Sequence, residues 1–506
     1  MSRTPPWAAN ALLVGLLLAL CGPRAFATAA DAPKNEAAVE KNGPATSPEA
    51  KVLGDPNNPE PPAEGSFTAD PYESKAEEAA YGAKHLNATA QPPIQLGIRL
   101  YDRGAYAPRP TLFGEKNPSQ FHFMAYGDVR VAAADNDSGV AGAHGRTDQS
   151  RIATRLNLDL DLALTATERI HAFMRPFDNT TRFTRYEIAG GANNKFVQEF
   201  NTRIDTLFFE GDVGSMLSGF SGKSSSFELP FSVGLVPITT QKGIWIEDAF
   251  EGMAVGMTAM SSRVLDISNM DLTFFTGLHR VTTDAVAGHG TAKLFGLAGF
   301  ADLLGGYMEA GYGYVDAEDG ALSYHNVTAA FTEQYLDLVS NSVRLIGNFG
   351  QRAATKTANG LLVLVENSLL TSRPLTLVPY LNLFAGFDSP QSLARAVDSG
   401  GVLRNTGINF QTDGLTGFPT LDARGHDSYG GAMGVEYLFN LDRQVVVEGA
   451  AVEPMRSNPL GAEYALGASF QQPLSNAWIW RLDGMRGWLE RQRDIFGVRM
   501  ELRRKF

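Results

Sequence analysis

Cysteine is nearly absent: Cys21 is the single one in 506 residues. Downstream of it, disulfide scaffolding, thiolate catalysis and Cys-ligated zinc are all excluded. Basic residues are also short, 43 against 55 acidic, giving a formal net charge of -12. That balance leaves no basic face for phosphates and argues against a nucleic-acid partner. Long apolar runs are missing too: apart from residues 11–20, nothing approaches the roughly 20 residues that a membrane-spanning helix needs. With a mean hydropathy of -0.14 and 19% charged residues, a polytopic helical membrane protein is excluded. A membrane β-barrel is not, because each strand needs only about 9–11 residues with every second one apolar.

The apolar run 11–20 follows Arg3 and precedes Ala25-Phe26-Ala27. A basic start, a short apolar core and a small-residue cleavage pattern predict a secretory signal peptide over residues 1–27. Cys21 follows Leu20, where a lipobox would place Gly, Ala or Ser, so lipidation is not expected. In residues 28–93, Pro33, Pro44, Pro48, Pro56, Pro59 and Pro61 punctuate Ala, Glu and Asn, with few aromatic or β-branched side chains. Such a segment cannot bury enough apolar area to offset its ordering entropy, so it is expected to be disordered, with one short helix over 72–86. It reads either as a spacer or as a tether to a periplasmic partner. Residues 94–118 are expected to be a linker or a lumen-entering segment, and residues 119–506 a barrel.

From about Gln95 onward the pattern has period two. In Leu156-Asn157-Leu158-Asp159-Leu160-Asp161-Leu162, every even position is Leu and every odd one polar. One face therefore meets an apolar phase and the other meets water. Short connections at 165–168, 302–306, 440–443 and 473–476 alternate with long ones at about 133–150, 177–201, 237–249, 280–291 and 388–427. Tight turns at one end and extended loops at the other are the habit of a transmembrane barrel. The expected fold is all-β, a transmembrane antiparallel β-barrel of about 18 strands, 16 to 18, with residues 215–226 the irregular stretch. A secreted sandwich or propeller could alternate similarly, but its long loops would not keep to alternate connections.

The last strand carries the most specific signal. Phe496, Val498, Met500, Leu502 and the terminal Phe506 share the apolar pattern, while Arg499, Glu501, Arg503 and Lys505 occupy the other face. This resembles the Phe-terminated last strand of Gram-negative outer-membrane proteins of the porin type. Arg504, on the apolar face, departs from that pattern but sits near the interface, where it costs little. Residues 231–236 and 243–252 resemble hairpins in large substrate-selective porins and alginate-export-type barrels. The resemblance implies an outer-membrane location and contact with outer-membrane lipid and lipopolysaccharide. It also implies that Phe506 is the signal read by the barrel assembly machinery, and that residues 28–93 lie in the periplasm.

With Leu156, Leu158 and Leu160 facing lipid, alternation places Arg151, Arg155, Asp159 and Asp161 in the lumen. Neighbouring strands add His122, Tyr126, Asp128 and Arg130, then Arg169, His171 and Arg175, and finally Arg481, Asp483, Arg499, Glu501 and Arg503. Barrel closure makes one wall of these five strands. The pore-lining candidates thus form an arginine-rich ladder, partly countered by Asp128, Asp159 and Asp161, suited to orienting anions. The alternative is that these charges only solvate a water-filled lumen and pair with one another. The long segment 388–427, with Arg395, Arg404, Arg424 and His426, is of a length that either folds into the mouth or stays a surface loop. Glu247, Asp248 and Glu251 are candidates to flank a constriction. Asp135-Asn136-Asp137-Ser138-Gly139 lacks the remaining ligands of a calcium loop and reads as a turn.

No H-E-x-x-H, G-x-S-x-G, P-loop or C-x-x-C-H motif is present, so no catalytic residue, metal ligand or cofactor is expected. The expected function is passive, charge-selective passage of small hydrophilic solutes through a porin-like channel. The alternatives are a conduit exporting an anionic exopolysaccharide or sheathing a larger trans-envelope complex, and an adhesin or structural barrel that conducts nothing.

Overall fold

The computed structural model describes residues 92–97, 114, 117, 119–139, 147–179, 182–189, 194–264, 266–286, 292–372, 376–396, 399–411, 414–440, 442–456 and 461–506. The expected signal peptide, Cys21, nearly all of the proline-rich extension and the candidate helix at 72–86 lie outside the described residues.

Eighteen antiparallel strands close into a barrel. We number them β1 (Ser119–Asp137), β2 (Asp148–Thr165), β3 (Arg169–Met174, resumed at Arg182–Ile188), β4 (Lys195–Val197, then Ile204–Asp212), β5 (Pro230–Thr240) and β6 (Ile246–Ser262). Next come β7 (Ile267–His279), β8 (Ala292–Leu303), β9 (Gly306–Ala317), β10 (Tyr324–Tyr335), β11 (Val339–Phe349) and β12 (Asn359–Leu369). The ring is completed by β13 (Leu377–Ser389), β14 (Ser428–Leu438), β15 (Gln444–Pro454), β16 (Glu463–Pro473), β17 (Trp478–Leu489) and β18 (Ile495–Lys505). Each strand pairs with the next, and β18 pairs with β1 from Asp128↔Lys505 to Asp137↔Phe496. Phe506 extends that seam: its N–H donates to Gly127 O at 3.0 Å, and its carbonyl accepts from Gly127 N at 2.9 Å.

Connections at one end are short. The β8–β9 turn has only Leu304 and Gly305 between paired Leu303 and Gly306, both at positive φ, as a two-residue hairpin with right-handed strand twist requires. At the other end the connections are longer, the longest running from 390 to 427. Lipid-facing positions carry the apolar half of each alternation, and aromatics gather near its borders. Tyr314 and Phe349 pack on His325 at 4.9 and 5.2 Å near the long-loop end, and Trp480 packs on Phe470 at 5.8 Å near the short-turn end. Amphipathic rings favour such membrane borders. Arg504, the outward arginine of the last strand, lies over the Trp478 ring at 5.6 Å.

Two features differ from the sequence expectation. The irregular stretch after Asp212 is a helix, α1 (Val213–Ser221), in the β4–β5 turn. Asp212 caps it, accepting from Ser215 N at 2.6 Å, and Gly222 ends it in the left-handed region. Within the 94–118 segment, Ile94–Gly97 forms a strand paired to β1 from Ile94↔Ala125 to Gly97↔His122, with Ile94 and Leu96 exposed. It covers the part of the β1 edge that β18 is too short to reach. In the lumen, of the two courses open to the long segment 388–427, it takes the infolded one and fills much of the long-loop end.

That filling comes from the 390–427 segment and the β5–β6 turn. Val402, Leu403, Phe410 and Leu421 of the segment pack on inward Ile346, Leu362, Leu364 and Phe384 of the wall. Trp245 and Ile246 pack with Phe250, Phe275, Leu294 and Tyr324, joined by Leu393 and Ala394. At roughly 1.5–3 kcal/mol for each large side chain removed from water, these contacts hold the segment inside the barrel. Backbone pairing reinforces them: Ala394–Arg395 lies parallel to the start of β6, and Leu393 N donates to Trp245 O at 2.8 Å.

Candidate functional site

The inward face of β17, β18, β1 and β2 carries the arginines. Arg503, Arg130 and Arg155 stand opposite one another across β18, β1 and β2. Higher on the same wall, Arg481 faces Glu501 and Asp483 faces Arg499 across β17 and β18. Each guanidinium is oriented by a carboxylate on the wall. Arg130 reaches Asp128 at 2.7 Å, Arg155 reaches Asp178 at 3.0 Å, and Asp483 accepts from Arg481 at 2.8 Å and Arg499 at 2.7 Å. Charge-assisted bonds of this kind fix a planar guanidinium in direction. Arg155 is further held over the Phe183 ring at 4.7 Å, and Arg499 over Phe418 of the long segment at 5.8 Å.

The infolded segment supplies the other side. Arg404 Nη1 donates to Glu247 Oε1 at 3.1 Å and Arg395 Nη2 to Glu247 Oε2 at 3.3 Å, joining the segment to the start of β6. Burial pushes Arg395 down to about 10, against the upward pull of Glu247. Between wall and segment lies a cavity of about 390 Å³. Six arginines border it (Arg130, Arg155, Arg404, Arg481, Arg499, Arg503) against three carboxylates (Glu247, Asp483, Glu501), an excess of three positive charges at its surface. Asp128 and Asp178 sit behind that surface, orienting their arginines without lining the void. Nearer the short-turn end a second cavity of about 470 Å³ adjoins the first, sharing Asn405, Ile408, Gln411, Ser469 and Arg481 with it.

The remaining candidates fall elsewhere. Arg151 lies beneath Gly417 of the long segment, where a Cβ would come within 3.4 Å of its guanidinium. His171 bridges Asp161 at 3.3 Å and Glu210 at 3.0 Å and stacks on Phe208 at 4.9 Å, low on β2–β4. Arg169 stands in register with Glu210, and Arg175 pairs with Asp205 at 2.9 Å. Asp159 faces Phe173 in register. None of these five residues, nor Asp161, borders the first cavity. Of the acidic trio near Trp245, only Glu247 does; Asp248 accepts from Thr282 N at 2.8 Å, and Glu251 pairs with His279 at 3.4 Å.

Several residues that hold the site together were not among the candidates. Glu448 of β15, 1% exposed, accepts from the backbone N–H of Ile408 at 2.9 Å and Asn409 at 2.8 Å, and from Tyr380 OH at 2.6 Å. Glu463 of β16 accepts from Asp422 N at 2.8 Å. Two buried carboxylates thus latch the tip and the return arm of the segment to the wall. Arg424 is raised by its hydrogen bond to Asp422, while burial, then the Arg424 charge, hold His426 below its ordinary value. Trp245 Nε1 donates to Asn326 Oδ1 at 2.7 Å, and its ring lies against Gly311, where a Cβ would fall 2.3 Å away.

No family model matches the chain, and no curated protein matches its sequence. Solved structures do match the fold. Pseudomonas aeruginosa OccK1 (OpdK) and OccK9 (OpdG) each superpose with a TM-score of 0.50 at 12% identity, over 76% of this chain and 98% of theirs. A structure of Pseudomonas aeruginosa OpdK with vanillate matches equally, at TM-score 0.50 and 12% identity over the same shares. OpdK is described as an outer membrane protein. The chain therefore has the fold of these solved structures: a closed antiparallel barrel of 18 strands.

Proposed function

We propose that this chain is an outer-membrane channel for passive passage of small hydrophilic solutes, with anions preferred. The observation that carries this reading is the cavity bordered by six arginines and three carboxylates, enclosed by the barrel wall and a segment folded into it. Guanidiniums already oriented by wall carboxylates border the void in fixed directions, so they need little reorganisation as a solute arrives. Field lines concentrate between low-dielectric walls, so the arginines bordering the void act on a solute there more strongly than the acidic balance of the whole chain does, although Asp128 and Asp178 behind the surface offset two of them. OpdK has been solved with vanillate, a small aromatic carboxylate; a solute of that size and charge is the class this wall suits. Arg130, Arg155, Arg481, Arg499 and Arg503 carry the selectivity in this reading, while Asp159, Asp161, Arg169, His171 and Arg175 shape the exit. Cavities of about 390 and 470 Å³ are of a size that suits small molecules.

The Phe506 pairing at the closing seam supports its role as the assembly signal, and in this reading residues 28–93 belong to the periplasm. Reversal potentials of the full chain in planar bilayers, under a potassium chloride gradient, test the reading. Anion preference that falls on Arg130→Ala plus Arg503→Ala supports it; cation preference in the intact protein overturns it.

A further inference from the structure

The second cavity has a different chemistry from the first. Two carboxylates, Glu366 and Glu436, and two cations, Lys242 and Arg481, border it, so its charges balance. Glu366 is also occupied from behind, by Arg344 at 2.9 Å, with Lys242 Nζ at 3.6 Å. Beside Glu436, Tyr307, Tyr380, Gln444 and Gln471, the cavity presents a solute with a grid of small neutral groups on β10–β13. Ser340 and Ser368 stand opposite each other on β11 and β12. One row away, Ser342 stands between Thr332 and Glu366, and Asn382 follows on β13. Thr332 donates to Ser342 Oγ at 2.9 Å, which leaves the Ser342 proton for another acceptor. Among the described residues, neither Ser340 nor Ser368 has a hydrogen bond through its hydroxyl, and both hydroxyls border the cavity.

We propose that this grid is a subsite for solute hydroxyl groups, and that the channel favours polyhydroxylated carboxylates of the sugar-acid class. This rests on the anion-channel reading and adds the other half of the solute. Arg481, Gln411 and Ser469 border both cavities, so a solute whose carboxylate leaves the arginines of the first meets Ser340, Ser342 and Ser368 in the second. Each serine exchanges a water for a solute hydroxyl at nearly equal hydrogen-bond strength, so passage is smoothed rather than trapped. An alkyl chain of the same length would displace those waters and return nothing, which is where the discrimination arises.

Bi-ionic reversal potentials of the full chain, with potassium gluconate on one side and potassium hexanoate on the other, give the permeability ratio directly. Wild type should favour gluconate several-fold. Ser342→Ala plus Ser368→Ala should bring the ratio close to one with chloride conductance unchanged, and Ser342→Thr plus Ser368→Thr should retain the preference. A ratio at or below one in wild type, or an undiminished ratio in the double alanine variant, overturns the subsite. Loss of anion preference in potassium chloride would instead sink the channel reading beneath it, so the two failures are distinguishable.

Discussion

Glu448 holds Asn409 by two bonds at once, accepting from its backbone N–H at 2.8 Å and from its side-chain amide at 2.9 Å. A carboxylate on the barrel wall thus fixes the tip of a segment that reaches it from β13, far from β15 in sequence. Because the carboxylate is buried, the bonds it makes are not exchanged for water at no cost.

Glu448→Ala should therefore release the segment. Bonds to a charged acceptor are worth about 1.5–3 kcal/mol each. Losing even ~3 kcal/mol would shift the docked-to-released ratio by about two orders of magnitude, at 1.4 kcal/mol per tenfold. Single-channel recordings should show larger, noisier openings; an unchanged, quiet conductance would mean that packing alone holds the segment.

Arginine position should matter more than arginine number. Arg130→Ala plus Arg503→Ala removes two of six cations bordering the cavity and should reduce the anion-to-cation permeability ratio several-fold. Arg169→Ala, also inside the barrel but away from that cavity, should leave the ratio unchanged. A drop per arginine removed as large as that of Arg130→Ala plus Arg503→Ala would mean that lumen charge acts only in bulk.

Docking of the segment should weaken in acid. His426 is held below its ordinary value when docked, by burial and by Arg424. The released segment therefore binds the proton first, so docking is at full strength above pH ~6.5 and declines as pH falls from there through the lowered docked value. Channel noise recorded between pH 8 and pH 5 should rise on acidification in wild type and much less in His426→Gln. A rise of equal size in both would assign the effect to another group.

Trp245 should be the anchor of the β5–β6 turn. It is 1% exposed, and truncating a buried aromatic typically costs ~3–5 kcal/mol. In Trp245→Ala, Arg395, whose side chain is 5% exposed, should become a tryptic cleavage site within an otherwise intact barrel. Continued protection at Arg395 would show that the Glu247 contacts suffice.

The barrel was legible wherever one face met lipid. Alternation through Leu156–Leu164 placed Arg155 and Asp161 inward, and the last strand set Arg499 and Arg503 on the lumen side. The infolded segment was harder to read, because its partners Leu362, Glu448 and Glu463 lie on strands separated from it in sequence. A local signal did exist. In Leu361-Leu362-Val363-Leu364-Val365 of β12 the alternation lapses, and apolar side chains on both faces mark a strand covered on both sides. Leu362 and Leu364 are the inward pair, buried beneath the segment. Glu448 gave no such sign, since a glutamate on an inward face is what any water-filled lumen would carry. Helix α1 escaped for another reason: Ser-Met-Leu-Ser-Gly-Phe-Ser has neither the length nor the helix formers to announce itself, and its Asp212 cap is one residue among many acidic ones.

The most direct test of the arginine wall is the reversal potential of the purified, refolded chain in a planar bilayer under a tenfold potassium chloride gradient. A conducting barrel whose zero-current voltage lies toward the chloride equilibrium potential is expected. A potential toward that of potassium, or a barrel that does not conduct, would contradict it.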